Sequence, residues 1–122
     1  MNALGIQLML DLADCNPRLL DDLNYIKKTL IQAANEVGAH IIGESFHQFH
    51  PQGVTGILAI AESHFCIHTW PEFNYAAIDM FTCGSSIDIS RASDLLISKL
   101  ESKTPKVTEL KRGIIHKSVV GT

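Results

Sequence analysis

A chain of 122 residues with 46% hydrophobic side chains is large enough for one compact core and too short for two ordinary domains. Ten Lys and Arg against thirteen Asp and Glu leave a formal charge of −3, with the basic residues scattered, so neither nucleic acid nor an anionic membrane is an expected partner. The opening Met1-Asn2-Ala3-Leu4-Gly5 lacks a basic segment ahead of an apolar stretch, and no run is long enough to cross a bilayer, which predicts a cytoplasmic protein.

Leu4, Ile6, Leu8, Leu10 and Leu12 alternate with Gly5, Gln7, Met9 and Asp11, the period of a strand with one buried face. Asn16 followed by Pro17 has the form of an N-cap with proline at the first helical position. Leu19, Leu23, Ile26, Leu30, Ala33 and Val37 then recur every three or four residues up to Gly38, predicting one amphipathic helix. Extended stretches follow over residues 39–49 and 54–60, separated by the tight connection His50-Pro51-Gln52-Gly53. Two more strands are expected over 65–69 and 75–81, joined by Trp70-Pro71-Glu72-Phe73-Asn74. Asp88 or Ser90 can cap a second helix reaching about residue 102, and residues 106–110 add a last strand. The order predicts a single α+β domain, a two-layer α/β sandwich with helices on one face of a mainly antiparallel sheet. An uncovered sheet face in so small a layer would gain from pairing with a second copy.

The stretch from 60 to 84 carries the most specific text. It contains Glu62-Ser63-His64, then His68-Thr69-Trp70-Pro71-Glu72, then Phe81-Thr82-Cys83-Gly84. Together with Leu4-Gly5, Phe46-His47-Gln48-Phe49 and Pro51-Gln52-Gly53-Val54, these runs resemble the prokaryotic S-adenosylmethionine decarboxylase proenzymes over nearly the whole chain. The resemblance implies autocatalytic cleavage of the Glu62–Ser63 bond into a β chain, residues 1–62, and an α chain, residues 63–122. Ser63 becomes a covalent pyruvoyl group, the sole cofactor implied. It further implies a homodimer of cleaved protomers converting S-adenosylmethionine to its decarboxylated form and CO2, for spermidine synthesis, with no metal, nucleic acid or membrane involved.

The chemistry explains why such a group is needed. Decarboxylation leaves a carbanion at Cα, and side chains offer no electron sink; a ketone that forms an imine with the substrate amine does. To make it, the Ser63 hydroxyl attacks the Glu62 carbonyl carbon, turning the amide into an ester. Loss of the Ser63 α-proton then expels the Glu62 carboxylate, and the dehydroalanine left behind hydrolyses to pyruvoyl and ammonia. The resemblance assigns His68 as the proton acceptor of that step, a task that suits an imidazole. It assigns Cys83 as the proton donor after CO2 departs, and Thr55, where the family usually has serine, as an aid to processing. Glu72 is placed against the substrate ribose, with Phe49 and Trp70 against the adenine and the sulfonium. On a regular strand Ser63 and His68 face opposite sides, so an irregularity is expected just after Ser63. Ile6-Gln7 and Gln48 replace residues that are basic in the family, which bears on substrate recognition or dimer contacts.

Taken singly, these residues have plainer readings: a half-buried strand histidine, a packed thiol, a solvated turn carboxylate and core aromatics. Cys15, Cys66 and Cys83 form no CxxC pair, and Cys15 and Cys66 are read as packing residues. Two rival functions remain open at this level. One is a metal-binding module built on His64, Cys66 and His68, which alternate along one strand, with His40, His47 and His50 nearby. The other is a pyruvoyl-dependent ornithine or arginine decarboxylase on the same scaffold.

Overall fold

The computed structural model describes residues 2–61, 63–83 and 87–115; Glu62 of the expected cleavage bond and Gly84 lie outside them. Strand β1 (Asn2–Ala13) buries Leu8, Leu10 and Leu12 on one side, as the alternation requires. The single helix expected next is broken in two. Helix α1 (Pro17–Leu20) has Asn16 as its N-cap, and α2 (Leu23–Glu36) starts afresh from Asp22, whose backbone is extended and whose carboxylate accepts from Tyr25 N–H at 3.0 Å. The apolar periodicity runs across this break because Leu20, Ile26, Leu30 and Ala33 all turn to the same core.

Strands β2 (Ile41–Gln48), β3 (Val54–Ile60), β4 (Ser63–Trp70) and β5 (Tyr75–Cys83) follow, with a single 3-10 turn at Pro71–Phe73 between the last two. Asn74 closes that turn in the left-handed region at φ 52°, which its short polar side chain tolerates. Helix α3 (Ile89–Lys99) is capped by Asp88, not Ser90: the aspartate accepts from the Ser90 N–H at 3.2 Å. Strand β6 (Thr104–Ile115) is more than twice the length expected. Its run of Lys106, Glu109, Lys111 and Arg112 hides the strand period, and charges of this kind keep an exposed edge from pairing with other chains.

The six strands lie in the order β2-β3-β4-β5-β1-β6, every neighbouring pair antiparallel. All three helices contribute to one apolar cluster against one face, where Phe65, Ile67, Ile78, Met80 and Leu58 are buried. The expected two-layer α+β sandwich is therefore what forms. The alternate residues of β3, β4 and β5, among them Ile57, His64, Cys66, His68 and Asp79, point to the other face, which no helix among the described residues covers. Leu30, fully buried at the centre of α2, should be sensitive to truncation. Leu30→Ala should cost about 2–5 kcal/mol in a urea or guanidinium titration, the range for a cavity of that size.

Candidate active site

Strand β4 carries most of the motif residues and runs without a break in register, pairing Ser63 with Ile60 and Thr82, and His68 with Thr55 and Ala77. The irregularity expected after Ser63 does not occur. Pairing on both sides along the whole strand leaves no room for an extra residue. Five positions of extended chain, at about 3.4 Å each, separate Ser63 from His68 by about 17 Å, and an odd step puts them on opposite faces. The site residues thus fall into two groups at opposite ends of the strand.

The first group surrounds Ser63. Its hydroxyl is buried and has no hydrogen-bond partner among the described residues. Thr82, cross-strand from it, is buried, and Cys83 is exposed at the adjoining strand end opposite Gly5. Gly5 has to be glycine here, because a Cβ would lie 2.4 Å from the tip of the Phe81 ring.

The second group lines a cavity of about 310 Å³ at the other end, walled by Phe49, Gln52, Gly53, Thr55, His68, Thr69, Trp70 and Glu72. Thr55 Oγ1 lies 3.1 Å from His68 Nδ1, which fixes the imidazole orientation. The His68 and Trp70 rings are 6.3 Å apart, and Trp70 leans on Tyr75 at 5.6 Å. The Tyr75 hydroxyl donates to the Asp11 carboxylate. That bond, with lesser help from burial, pushes the phenol up to about 12, so it stays protonated and braces the indole. Phe49 packs edge-on against His47 at 4.5 Å. Neither Tyr75 nor Thr69 stands out in the sequence: Thr69 lies inside the His68–Glu72 run and Tyr75 just after it, and only their contacts reveal what they do.

Burial raises the Cys66 thiol, and the Asp79 charge raises it further. Burial likewise raises Cys15, whose Sγ donates to Leu12 C=O. Cys15 packs in the core as expected, whereas Cys66 is half-buried on the face turned away from the helices. His64, Cys66 and His68 do share a face of β4, but the metal-module reading gains no support. Among the described residues no group of three or more His, Cys, Asp or Glu side chains converges on one point.

Sheet order and helix placement define an α+β layer of the kind found in S-adenosylmethionine decarboxylases, and comparison with known proteins agrees. The family model described as S-adenosylmethionine decarboxylase matches residues 6–113. A proenzyme of that name from Thermodesulfovibrio yellowstonii is 48% identical over 115 residues, covering 94% of this chain and 85% of the relative. One from Caldanaerobacter subterraneus subsp. tengcongensis is 42% identical over 119 residues, covering 98% and 96%. The crystal structure of the adenosylmethionine decarboxylase from Aquifex aeolicus superposes with a TM-score of 0.89 at 32% identity, covering 96% of this chain and 97% of that one. The Trypanosoma brucei AdoMetDC-delta26 monomer shares the fold, at a TM-score of 0.64 and 14% identity. The chain belongs to the S-adenosylmethionine decarboxylase family. Nothing in these matches favours the ornithine or arginine alternative.

Proposed function

We propose that the chain is a self-processing S-adenosylmethionine decarboxylase that acts as a homodimer, Ser63 becoming a pyruvoyl group when the Glu62–Ser63 bond is cleaved. The observation that carries the reading is the buried Ser63 hydroxyl, without a partner among the described residues, at the first position of β4 in a chain of this family. A buried hydroxyl left unpaired costs about 1–3 kcal/mol, a cost that is tolerated where the group has chemistry to perform. Its oxygen is free to bond to the Glu62 carbonyl carbon while the C–N bond breaks, which yields the ester. When formed, the pyruvoyl group supplies the electron sink that side chains lack.

The two groups of residues divide the remaining work. Cys83, exposed beside the Ser63 row, is the proton donor to the substrate Cα. A free thiol in that role suits a reducing compartment such as the cytoplasm. Glu72 accepts hydrogen bonds from the ribose hydroxyls, and Phe49 and Trp70 hold the adenine and the cationic sulfonium in the 310 Å³ cavity. His68, oriented by Thr55, takes the α-proton of Ser63 during processing, but it stands about 17 Å from the Ser63 of its own chain. A two-fold axis through the middle of the uncovered face, near Cys66, would shorten this distance by setting Cys83 and the adjoining start of β4 of one protomer against the partner's His68 and the partner's Glu72. Ile57 and Trp70, 43% and 40% exposed on that face, favour its burial by a second copy.

Purified, cleaved protein offered S-adenosylmethionine, ornithine and arginine in parallel should release CO2 from the first alone. Turnover of ornithine or arginine without S-adenosylmethionine would sink the substrate assignment. Glu72→Gln should lower kcat/KM for S-adenosylmethionine by about 10- to 150-fold, equivalent to the ~1.5–3 kcal/mol of a hydrogen bond to a charged group, with cleavage still going to completion.

A further inference from the structure

Two consecutive aspartates mark the corner between α1 and α2, and only one of them caps a helix with its side chain. Asp22 caps α2. Asp21 reaches away from both helices to the β2–β3 connection, where its Oδ1 accepts from the Gly53 N–H at 2.9 Å and from Gln48 Nε2 at 3.0 Å. Gln48 also donates to the Gly53 C=O at 3.0 Å, and the Phe49 N–H donates to the same carbonyl at 2.8 Å. The connection that carries Phe49, Gln52 and Gly53 is thereby pinned through one carboxylate oxygen. The same corner holds β4: Thr69 Oγ1, between His68 and Trp70, donates to the Leu20 C=O at 2.7 Å and accepts from the Val54 N–H at 2.8 Å. Gly53 must remain glycine, with φ at +107° and only 3.1 Å between a would-be Cβ and the Thr69 carbonyl.

We infer that Asp21 is a positioning residue for substrate binding, setting the spacing between the Phe49 wall and the Trp70–Glu72 wall of the cavity. The inference rests on the proposed role of that cavity. Hydrogen bonds to a carboxylate are stronger than neutral ones, and here they tie down a surface connection that would otherwise be mobile. Without them the connection has to be ordered when substrate binds, which weakens binding of ground state and transition state alike. The Asp21 carboxylate bonds to Gln48 and Gly53 and to neither proton-handling residue of its own chain, so its effect should fall on binding. Gln48 takes part as a neutral donor to both the carboxylate and the Gly53 carbonyl.

Steady-state kinetics on cleaved protein separates the possibilities. Asp21→Ala should raise KM for S-adenosylmethionine roughly tenfold while kcat changes less than about twofold, the pattern of lost uniform binding. Asp21→Asn keeps an acceptor Oδ1 in the same place and should restore KM to within about twofold. A wild-type KM in Asp21→Ala overturns the positioning role, as does a fall in kcat at unchanged KM or an Asp21→Asn variant as impaired as the alanine. Should Asp21→Ala fail to fold, Gln48→Met removes one donor and should still raise KM; no change in that variant overturns the role. Wild-type protein without S-adenosylmethionine turnover overturns the proposed function itself, and this inference with it.

Discussion

Ser63→Ala is expected to stay a single chain of 13.4 kDa on a denaturing gel, where the natural protein is expected to separate into residues 1–62 and 63–122. The reason is local: alanine has no nucleophile to attack the Glu62 carbonyl, and the ester on which cleavage depends never forms. Decarboxylation should fall by at least about 10⁴-fold, to background, because no other side chain provides an electron sink for the Cα carbanion. The fold should not suffer. The Ser63 hydroxyl is buried without a described partner, so removing it relieves a desolvation cost, and the variant should be as stable as the uncleaved natural chain or slightly more so. Cleavage of Ser63→Ala at the same bond, or decarboxylation at the natural rate by the uncleaved chain, would remove Ser63 from the mechanism.

Mixed dimers should recover activity that neither parent has. Cys83→Ala damages the group of residues at one end of β4, and Glu72→Ala damages the group at the other. If each active site draws one group from each protomer, a Cys83→Ala/Glu72→Ala heterodimer has one site with both lesions and one with none. Random pairing of equal amounts makes about half the dimers mixed, each with one intact site, so the mixture should reach about a quarter of natural activity. Coexpression is the right format, since assembled dimers exchange slowly when their interface is large. A mixture no more active than the average of its parents would mean that each site is built within one chain. His68 would then need a route to Ser63 across about 17 Å of regular strand, which the unbroken pairing of β4 does not offer.

Elements with an uninterrupted period were legible in the sequence. The leucines of β1 alternate without a fault, and the start of Val54–Ile60 is marked by the turn residues His50-Pro51-Gln52-Gly53. The break between α1 and α2 was not legible, because the buried residues on its two sides keep one helical rhythm while Asp22 restarts the hydrogen bonding. Most of β6 was missed for the converse reason: it lies at a sheet edge, and its pairing to β1 is made by backbone groups that no side-chain pattern reports.

For the site, the resemblance carried by the motifs pointed to the expected chemistry: a serine behind a glutamate, a histidine and a cysteine to handle protons, and a carboxylate with aromatics to bind a cationic nucleoside. They are specific because the residue types and their separations occur together along one short segment. Nearness in sequence nevertheless suggested that Ser63 and His68 meet in one chain. Only the tertiary structure decided otherwise, since a strand paired on both sides is rigid, advances about 3.4 Å per residue and alternates its faces, so five residues carry His68 to the opposite side and the opposite end. The tertiary structure alone also brought Asp21 to Gly53 across 32 positions and Thr69 to Leu20 across 49, contacts between segments that share no local pattern. Side-chain periodicity records which face of an element is buried; it carries no record of which distant backbone group a polar side chain will meet once that face has found its partner.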